Sequence, residues 1–337
     1  MTSESLNFSH LISMSDSRGL FEHANFDKPR KEQGYCVDDV ARAVILLERS
    51  ETEEPQLRDL LRIYFEFILA AQSPNGHFKN RCNVSGIWTT PAQMGDHWGH
   101  ALWALGTIAH RENDRAMAET ALNKFELSAH YRTHHLRPLI YASFGAAEIL
   151  TFNPDHIPSQ KLLRDTLKSI PRSADNEWPW PEERLTYGNA AIPEFLMLAG
   201  HHLHDAKLLS QGLTLLKWLV DVETREDHFS VTPTNGWHTG ELRPGFDQQP
   251  IELAAMVDAC ATAFELTNDP EWLNVLKRGS DWFEGFNDLQ VQMYEPMTGA
   301  GFDGLNPFWR NENQGAESTL SYLSVEERKS TYLSVLR

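Results

Sequence analysis

VARAVILLERSETEEPQLRDLLRIYFEFILAAQ, Val40 to Gln72, sets two different helical signals side by side. Its opening, VARAVILL, is apolar almost all round, the pattern of a helix buried on several sides. Its second half is one-faced: Leu57, Leu60, Leu61, Tyr64, Ile68 and Ala71 recur at helical spacing with charges between them. A buried helix followed by an amphipathic one reads as a hairpin with an inner and an outer member.

The same pair recurs along the chain. Further all-round apolar runs begin at His100, Leu139, Ile192, Ile251 and Glu317. One-faced helices are predicted near 115–128, 158–170, 205–221 and 270–285. Asp39, Asp96, His135, Asn189, Asp247 and Asn313, each at or just before a buried run, recur at the spacing of two helices plus loops. Six such hairpins close into an all-α (α/α)6 toroid, expected to span 1–337 as a single domain. The last outer helix would come from the C-terminal VEERKSTYLSVLR or from the N-terminal segment. An open solenoid competes, but it gives no reason for inner helices that are apolar all round.

Pro138, Pro193 and Pro250 suit first helical turns, so the polar residues ahead of them fall on loops. Parallel inner helices would gather those loops at one end, where a pocket is expected.

Composition narrows the ligand. Thirty Lys and Arg against 47 Asp and Glu give a formal charge of −17. Phosphate-rich partners need clustered cations, so nucleic acid and anionic membrane surfaces are disfavoured. The three cysteines, Cys36, Cys82 and Cys260, form no CxxC pair and suit a reducing, cytoplasmic setting. The N-terminus lacks a signal-peptide pattern, and no window is apolar enough to span a membrane. Nothing matches a Walker loop, GxGxxG, GxSxG or HExxH, so no cofactor is expected. His97 and His100, or His201, His202 and His204, lack a matching ligand set, and no metal site is expected.

The stretches entering the inner helices hold many of the polar and aromatic residues. They are GYCVDD, MGDHWGH, EWPWPEERLTYGN, NGWHTGELRPGFDQQP and GAGFDGLNPFWRNENQGAES. Trp98, Trp178, Trp180, Trp237 and Trp309 are five of ten tryptophans. Indole faces beside carboxylates and amides suit sugars, whose C–H faces stack while their hydroxyls are held. Asp38 and Asp39 read equally as first-turn acids complementing a helix dipole or as a carboxylate pair. Two close carboxylates raise one another's pKa and can supply a general acid. Arg42, one turn on, is the natural ion-pair partner of one of them. Glu182 and Glu183 follow two tryptophans, a setting that raises a carboxyl's pKa. Asp247-Gln248-Gln249 exceeds what capping before Pro250 requires. Glu317 reads equally as a first-turn glutamate.

DSRGLFEHANFDKPRKEQGYCVDDVARAV, DHWGHALWALG, WPWPEERLTYGNAAIPEFLMLAG, PGFDQQPIELAAMVDAC and GFDGLNPFWRNENQGAESTLSYL together resemble the helical domain often joined to bacterial group 1 glycosyltransferases. The resemblance runs from Asp16 to about Leu323 and implies a six-hairpin-glycosidase-like fold and a carbohydrate context. It also implies a separately encoded glycosyltransferase as a partner. Gly188 and Val40 depart from the usual Asp and Asn of that pattern.

The leading expectation is a glycoside hydrolase, or phosphorylase, acting on an oligosaccharide or glycan end. Its catalytic carboxylates would be Asp38 and Asp39 with Glu182 or Asp247. Substrate contacts are expected from His23, Tyr35, Arg42, Asp96, His97, Trp98, Trp178, Trp180, Glu183, Tyr187, Asn189, Trp237, Gln248, Gln249, Asp303, Asn313, Gln314 and Glu317. Two alternatives stand beside it. One is a sugar epimerase or lyase with His23, Tyr35, His97 or Tyr187 as base. The other is a non-catalytic glycan-binding partner of a glycosyltransferase.

Overall fold

A computed structural model describes residues 6–171 and 177–333. After the short helix α1 (Ser9–Ser13), eleven further α-helices follow among the described residues. They are α2 (Val37–Arg49), α3 (Pro55–Ala71), α4 (Asp96–Arg111), α5 (Arg115–Ser128), α6 (Leu136–Phe152), α7 (Ile157–Ser169), α8 (Ala191–His202), α9 (Ala206–Glu223), α10 (Pro250–Thr267), α11 (Glu271–Phe283) and α12 (Ala316–Leu333). The chain divides into two compact units: Leu11–Ser169 with His202–Asp205, and Met1–His10 with Ile170–His201 and Ala206–Arg337. Among the described residues no helix is long and apolar enough to cross a membrane.

In the first unit, α2, α4 and α6 are inner helices and α3, α5 and α7 their outer partners. Residues 101–108 of α4 are buried except Trp103, and α6 is buried from Arg137 through Ala147. By contrast α3 buries Leu57, Leu60, Leu61, Tyr64, Phe67 and Ile68 and exposes Asp59, Arg62 and Glu66. Burying each such large apolar side chain contributes roughly 1.5–3 kcal/mol, which is what drives the one-faced helices against the apolar ones. Pro55 opens α3, and the Asp114 carboxylate caps α5 by accepting from the N–H groups of Ala116 and Met117 (3.0 and 3.3 Å).

Glycines set the spacing of α4 and α6. A Cβ on Gly106 would run into the backbone of Gly145, and one on Gly145 into the backbone of Leu102. On Gly99 it would lie 2.5 Å from the carbonyl oxygen of Pro138. The two helices therefore touch backbone to backbone over two turns.

The second unit repeats the alternation with α8, α10 and α12 as inner members and α9 and α11 outside. A buried ion pair ties α10 to α12: Arg328 Nε donates to Asp258 Oδ1 at 2.7 Å. The C-terminal segment corrects one expectation. VEERKSTYL continues α12 as a single helix to Leu333 rather than forming a separate outer helix. Arg328 is drawn inward by Asp258, which keeps this polar stretch packed; residues 334–337 lie outside the described residues. The only strands among the described residues are two-residue antiparallel ladders, such as Tyr35–Cys36 against Arg81–Cys82. Pairs that short leave no periodicity in the sequence.

Candidate active site

The first unit brings its polar residues together at the N-terminal ends of α2, α4 and α6. The start of α2 is fixed by the ladder at Cys36 and by Asn80, whose backbone carbonyl and Oδ1 both accept from the Val37 N–H (3.0 and 3.1 Å). Asp38 and Asp39 then occupy the first turn, where the helix dipole favours them.

The two aspartates have different surroundings. Asp39 is 3% exposed, with both oxygens engaged: Arg42 Nη1 donates to Oδ1 at 2.9 Å and the Cys36 thiol to Oδ2 at 3.1 Å. Asp38 lies beside α4, its Oδ1 3.0 Å from His100 Nδ1. Burial raises the Asp38 pKa, but the His100 hydrogen bond, the charge that ring carries in acid and the Arg42 field more than offset it and bring it to about 2. This corrects the expectation that the pair would raise one another into the general-acid range. The His100 hydrogen bond and the Arg42 charge outweigh burial, and Asp38 is an ionised acceptor.

His100 goes the other way from an ordinary histidine. Burial and the Arg42 charge lower its pKa, only partly offset by Asp38. The imidazole is therefore neutral at pH 7. A carboxylate can only accept, so the proton sits on Nδ1 and Nε2 keeps its lone pair. No described residue hydrogen-bonds Nε2. The ring is held by stacking on Tyr141 of α6 (centroids 4.1 Å apart, 22° between planes), with Trp103 alongside at 6.4 Å. The Arg49 guanidinium lies over the Trp103 ring, 5.2 Å from its centre. The close glycine contact between α4 and α6 is what allows this stack. Neither His100 as a base nor Tyr141 was singled out from sequence. The available signal was His100 lying one turn beyond Asp96 on the inner helix DHWGHALW.

Other anticipated residues here do structural work. Tyr35 is 1% exposed, and its hydroxyl donates to Asp16 at 2.8 Å. His97 Nε2 is held by the Phe78 carbonyl at 2.9 Å. Trp98 is fully buried, so no ring face is open for stacking. Asp96 is half-buried at the start of α4, and His23 is exposed. Glu22, Cys36 and Asp39 cluster closely enough to hold a cation. However, Arg81 pairs with Glu22 and Arg42 with Asp39, so guanidinium groups already balance both carboxylates.

In the second unit, Trp178 packs edge-on against Trp218 (5.3 Å) and Trp237 (5.4 Å), and Trp180 stacks on Trp218 at 5.8 Å. Trp180 is 1% exposed and Trp178 nearly as enclosed, which corrects their expected role as open sugar-facing rings. Outer-helix Trp218 gives them a packing partner the loop sequence did not reveal. Trp178 Nε1 donates to the backbone carbonyl of Glu182 (2.9 Å), leaving Glu182 half-buried and Glu183 and Tyr187 exposed. Asn189 is buried; its N–H and that of Gly188 donate to Glu252 (3.3 and 2.7 Å). Gln248 is also buried, donating to Asp288 and to the Gly245 carbonyl (2.7 Å), while Asp247 is exposed and Gln249 half-buried. Asp303 Oδ1 accepts from the Gly315 N–H (2.7 Å), and the Gln314 carbonyl accepts from His10 Nε2 (2.9 Å). Asn313 and Glu317 are half-buried around the start of α12.

No family model and no curated protein matches the sequence. Solved structures do match. Cellobiose 2-epimerase from Spirochaeta thermophila aligns with a TM-score of 0.72 at 10% identity, covering 99% of this chain and 95% of that one. D-mannose isomerase gives 0.72 at 10% identity over 97% and 95%. The GH76 α-mannanase BT2949 of Bacteroides thetaiotaomicron gives 0.68 at 10% identity over 97% and 94%. The likeness extends over nearly the whole of each chain. This protein has the (α/α)6, six-hairpin-glycosidase-like fold.

Proposed function

We propose that this protein is a carbohydrate-active enzyme that epimerises or isomerises a reducing sugar, with His100 as the proton-transferring base. The observation that carries the reading is the pair in which ionised Asp38 holds Nδ1–H of a neutral His100. Such an imidazole presents an unprotonated Nε2, and an adjacent carboxylate stabilises the imidazolium that forms. In the open-chain sugar, Nε2 takes the proton from the carbon next to the carbonyl, leaving an enediolate. Return of the proton to that carbon after the enediolate has turned its other face to the imidazolium gives the epimer, and return to the former carbonyl carbon, with the O2 hydroxyl proton passing to O1, gives the isomer. Tyr141 keeps the ring in place, while Arg42 keeps it neutral and anchors Asp39.

Support also comes from the fold, which is shared with structures named as a cellobiose 2-epimerase and a D-mannose isomerase. Glycosidic cleavage is the second reading, favoured by the likeness to the α-mannanase and to a GH9 cellulase. It needs one protonated carboxyl, whereas Asp38 is held ionised. Incubating the protein with D-mannose, D-glucose, cellobiose and mannobiose and following the sugars by NMR separates the two. An epimer or ketose supports the proposal. Release of a monosaccharide from the disaccharides without rearrangement would assign the protein to the hydrolases.

A further inference from the structure

Between Leu305 and Arg310, the second unit carries a β-hairpin whose tip exposes two aromatic rings. Phe308 is 90% and Trp309 51% exposed. The tip is nevertheless tightly built. Asn306 N–H donates to the Trp309 carbonyl (2.9 Å), and Asn306 Oδ1 accepts from the N–H groups of Phe308 and Trp309 (3.1 and 3.0 Å). Trp309 Nε1 donates to Glu312 Oε1 at 2.8 Å, and Arg310 Nε reaches the same oxygen at 3.2 Å. The Arg310 guanidinium in turn lies 3.8 Å from the centre of the Phe302 ring. The same guanidinium lies over the Trp309 ring at 5.8 Å, so with the indole nitrogen tied down the tip presents the exposed part of the indole.

The stem sets where the tip stands. Leu305 exchanges both backbone hydrogen bonds with Gln248 (2.8 and 2.9 Å), just ahead of α10. Asp303 binds the Gly315 N–H just ahead of α12. The rings thus project from the N-terminal ends of two inner helices of their unit.

We infer that Phe308 and Trp309 form a stacking subsite for a neutral sugar ring within an oligosaccharide. An indole held in place and an exposed phenyl ring, beside the Glu312 carboxylate, match the C–H face and hydroxyl rim of a pyranose. The acidic chain disfavours an anionic ligand. Two rings alone fall well short of the roughly 800 Å² per partner of a stable protein interface. A single stacking platform also binds one isolated sugar too weakly to serve as a complete site, so the ligand is an oligosaccharide anchored elsewhere along its length. The inference rests on the proposed function for the class of ligand, not for the reaction.

The test is calorimetric titration of the full chain with cellotetraose and mannotetraose, comparing wild type with Phe308→Ala, Trp309→Ala and Trp309→Phe. Thermal melts check that the variants fold. The expected result is binding of at least one tetrasaccharide, weakened about tenfold by Trp309→Ala and largely kept by Trp309→Phe. Tetrasaccharide binding by calorimetry and solvent-deuterium exchange into a monosaccharide by wild type are read separately, so failure of the subsite is distinguishable from failure of the proposed reaction. Equal binding by wild type and both alanine variants would overturn the inference. So would absence of binding to both tetrasaccharides. A wild-type dimer that Trp309→Ala disperses in sedimentation would reassign the tip to a protein contact.

Discussion

Asp38 Oδ1 lies 3.0 Å from Nδ1 of His100, a residue 62 positions away on the next inner helix. The hydrogen bond fixes tautomer, orientation and charge together: an ionised acceptor, a neutral ring and a free Nε2. If that is the chemical centre, each partner has a distinct loss on substitution.

His100→Asn should lower kcat for sugar interconversion by about 10²–10⁴-fold, the usual contribution of a positioned general base. Asp38→Asn retains an acceptor of the same shape but no charge to stabilise the imidazolium. It should lower kcat with little change in KM and little loss of folded stability. Steady-state kinetics with thermal melts check both, and a Tyr141→Leu variant should fall between them.

The pH profile should have its acid limb below the ordinary histidine value of 6.5, because burial and Arg42 lower the His100 pKa. Activity is expected to be flat around neutrality and to fall as acid protonates Nε2. Arg42→Met removes a field that disfavours the imidazolium, so the limb should move to higher pH. An unmoved limb would mean that His100 is not the titrating base.

Spacing between α4 and α6 is a stability matter as well as a catalytic one. Gly106→Ala or Gly145→Ala forces a methyl group into the facing backbone. Each is expected to cost about 1–3 kcal/mol or more, read from urea unfolding. Because the helices must part, the His100–Tyr141 stack should loosen and activity should fall further than the stability loss explains.

Much of this architecture is legible in sequence because its signal is local. All-round apolar runs and one-faced runs place the inner helices and α5, α7, α9 and α11 to within a few residues. Pro250 marks the first residue of α10. What sequence leaves hidden depends on partners distant along the chain. Asp38 and Asp39 are adjacent and chemically identical, yet one faces Arg42 and Cys36 and the other His100. The tryptophans of WPWPEE look like open loop residues until Trp218 packs against them. Arg328 looks like part of a polar outer helix until Asp258 draws it in.

Away from the site, Glu48 gives a pH signature. It is 4% exposed; burial and the neighbouring Glu112 carboxylate, itself paired with Arg58, raise its pKa from 4.5 to about 8. In the folded chain it holds a proton that the unfolded chain has released over that interval. Stability should therefore fall as pH rises from 4.5 to about 8 and level off beyond. Glu48→Gln should flatten this slope and raise the melting temperature above pH 7.

The most direct measurement is solvent exchange in D2O. Mannose, glucose or cellobiose is incubated with wild type and with His100→Asn, and the C2 proton of the reducing sugar is followed by NMR. Wild type is expected to replace that proton with deuterium, and the variant to lose the activity while remaining folded. Exchange that persists in His100→Asn, or interconversion without solvent deuterium entering the sugar, would contradict the proposed reaction.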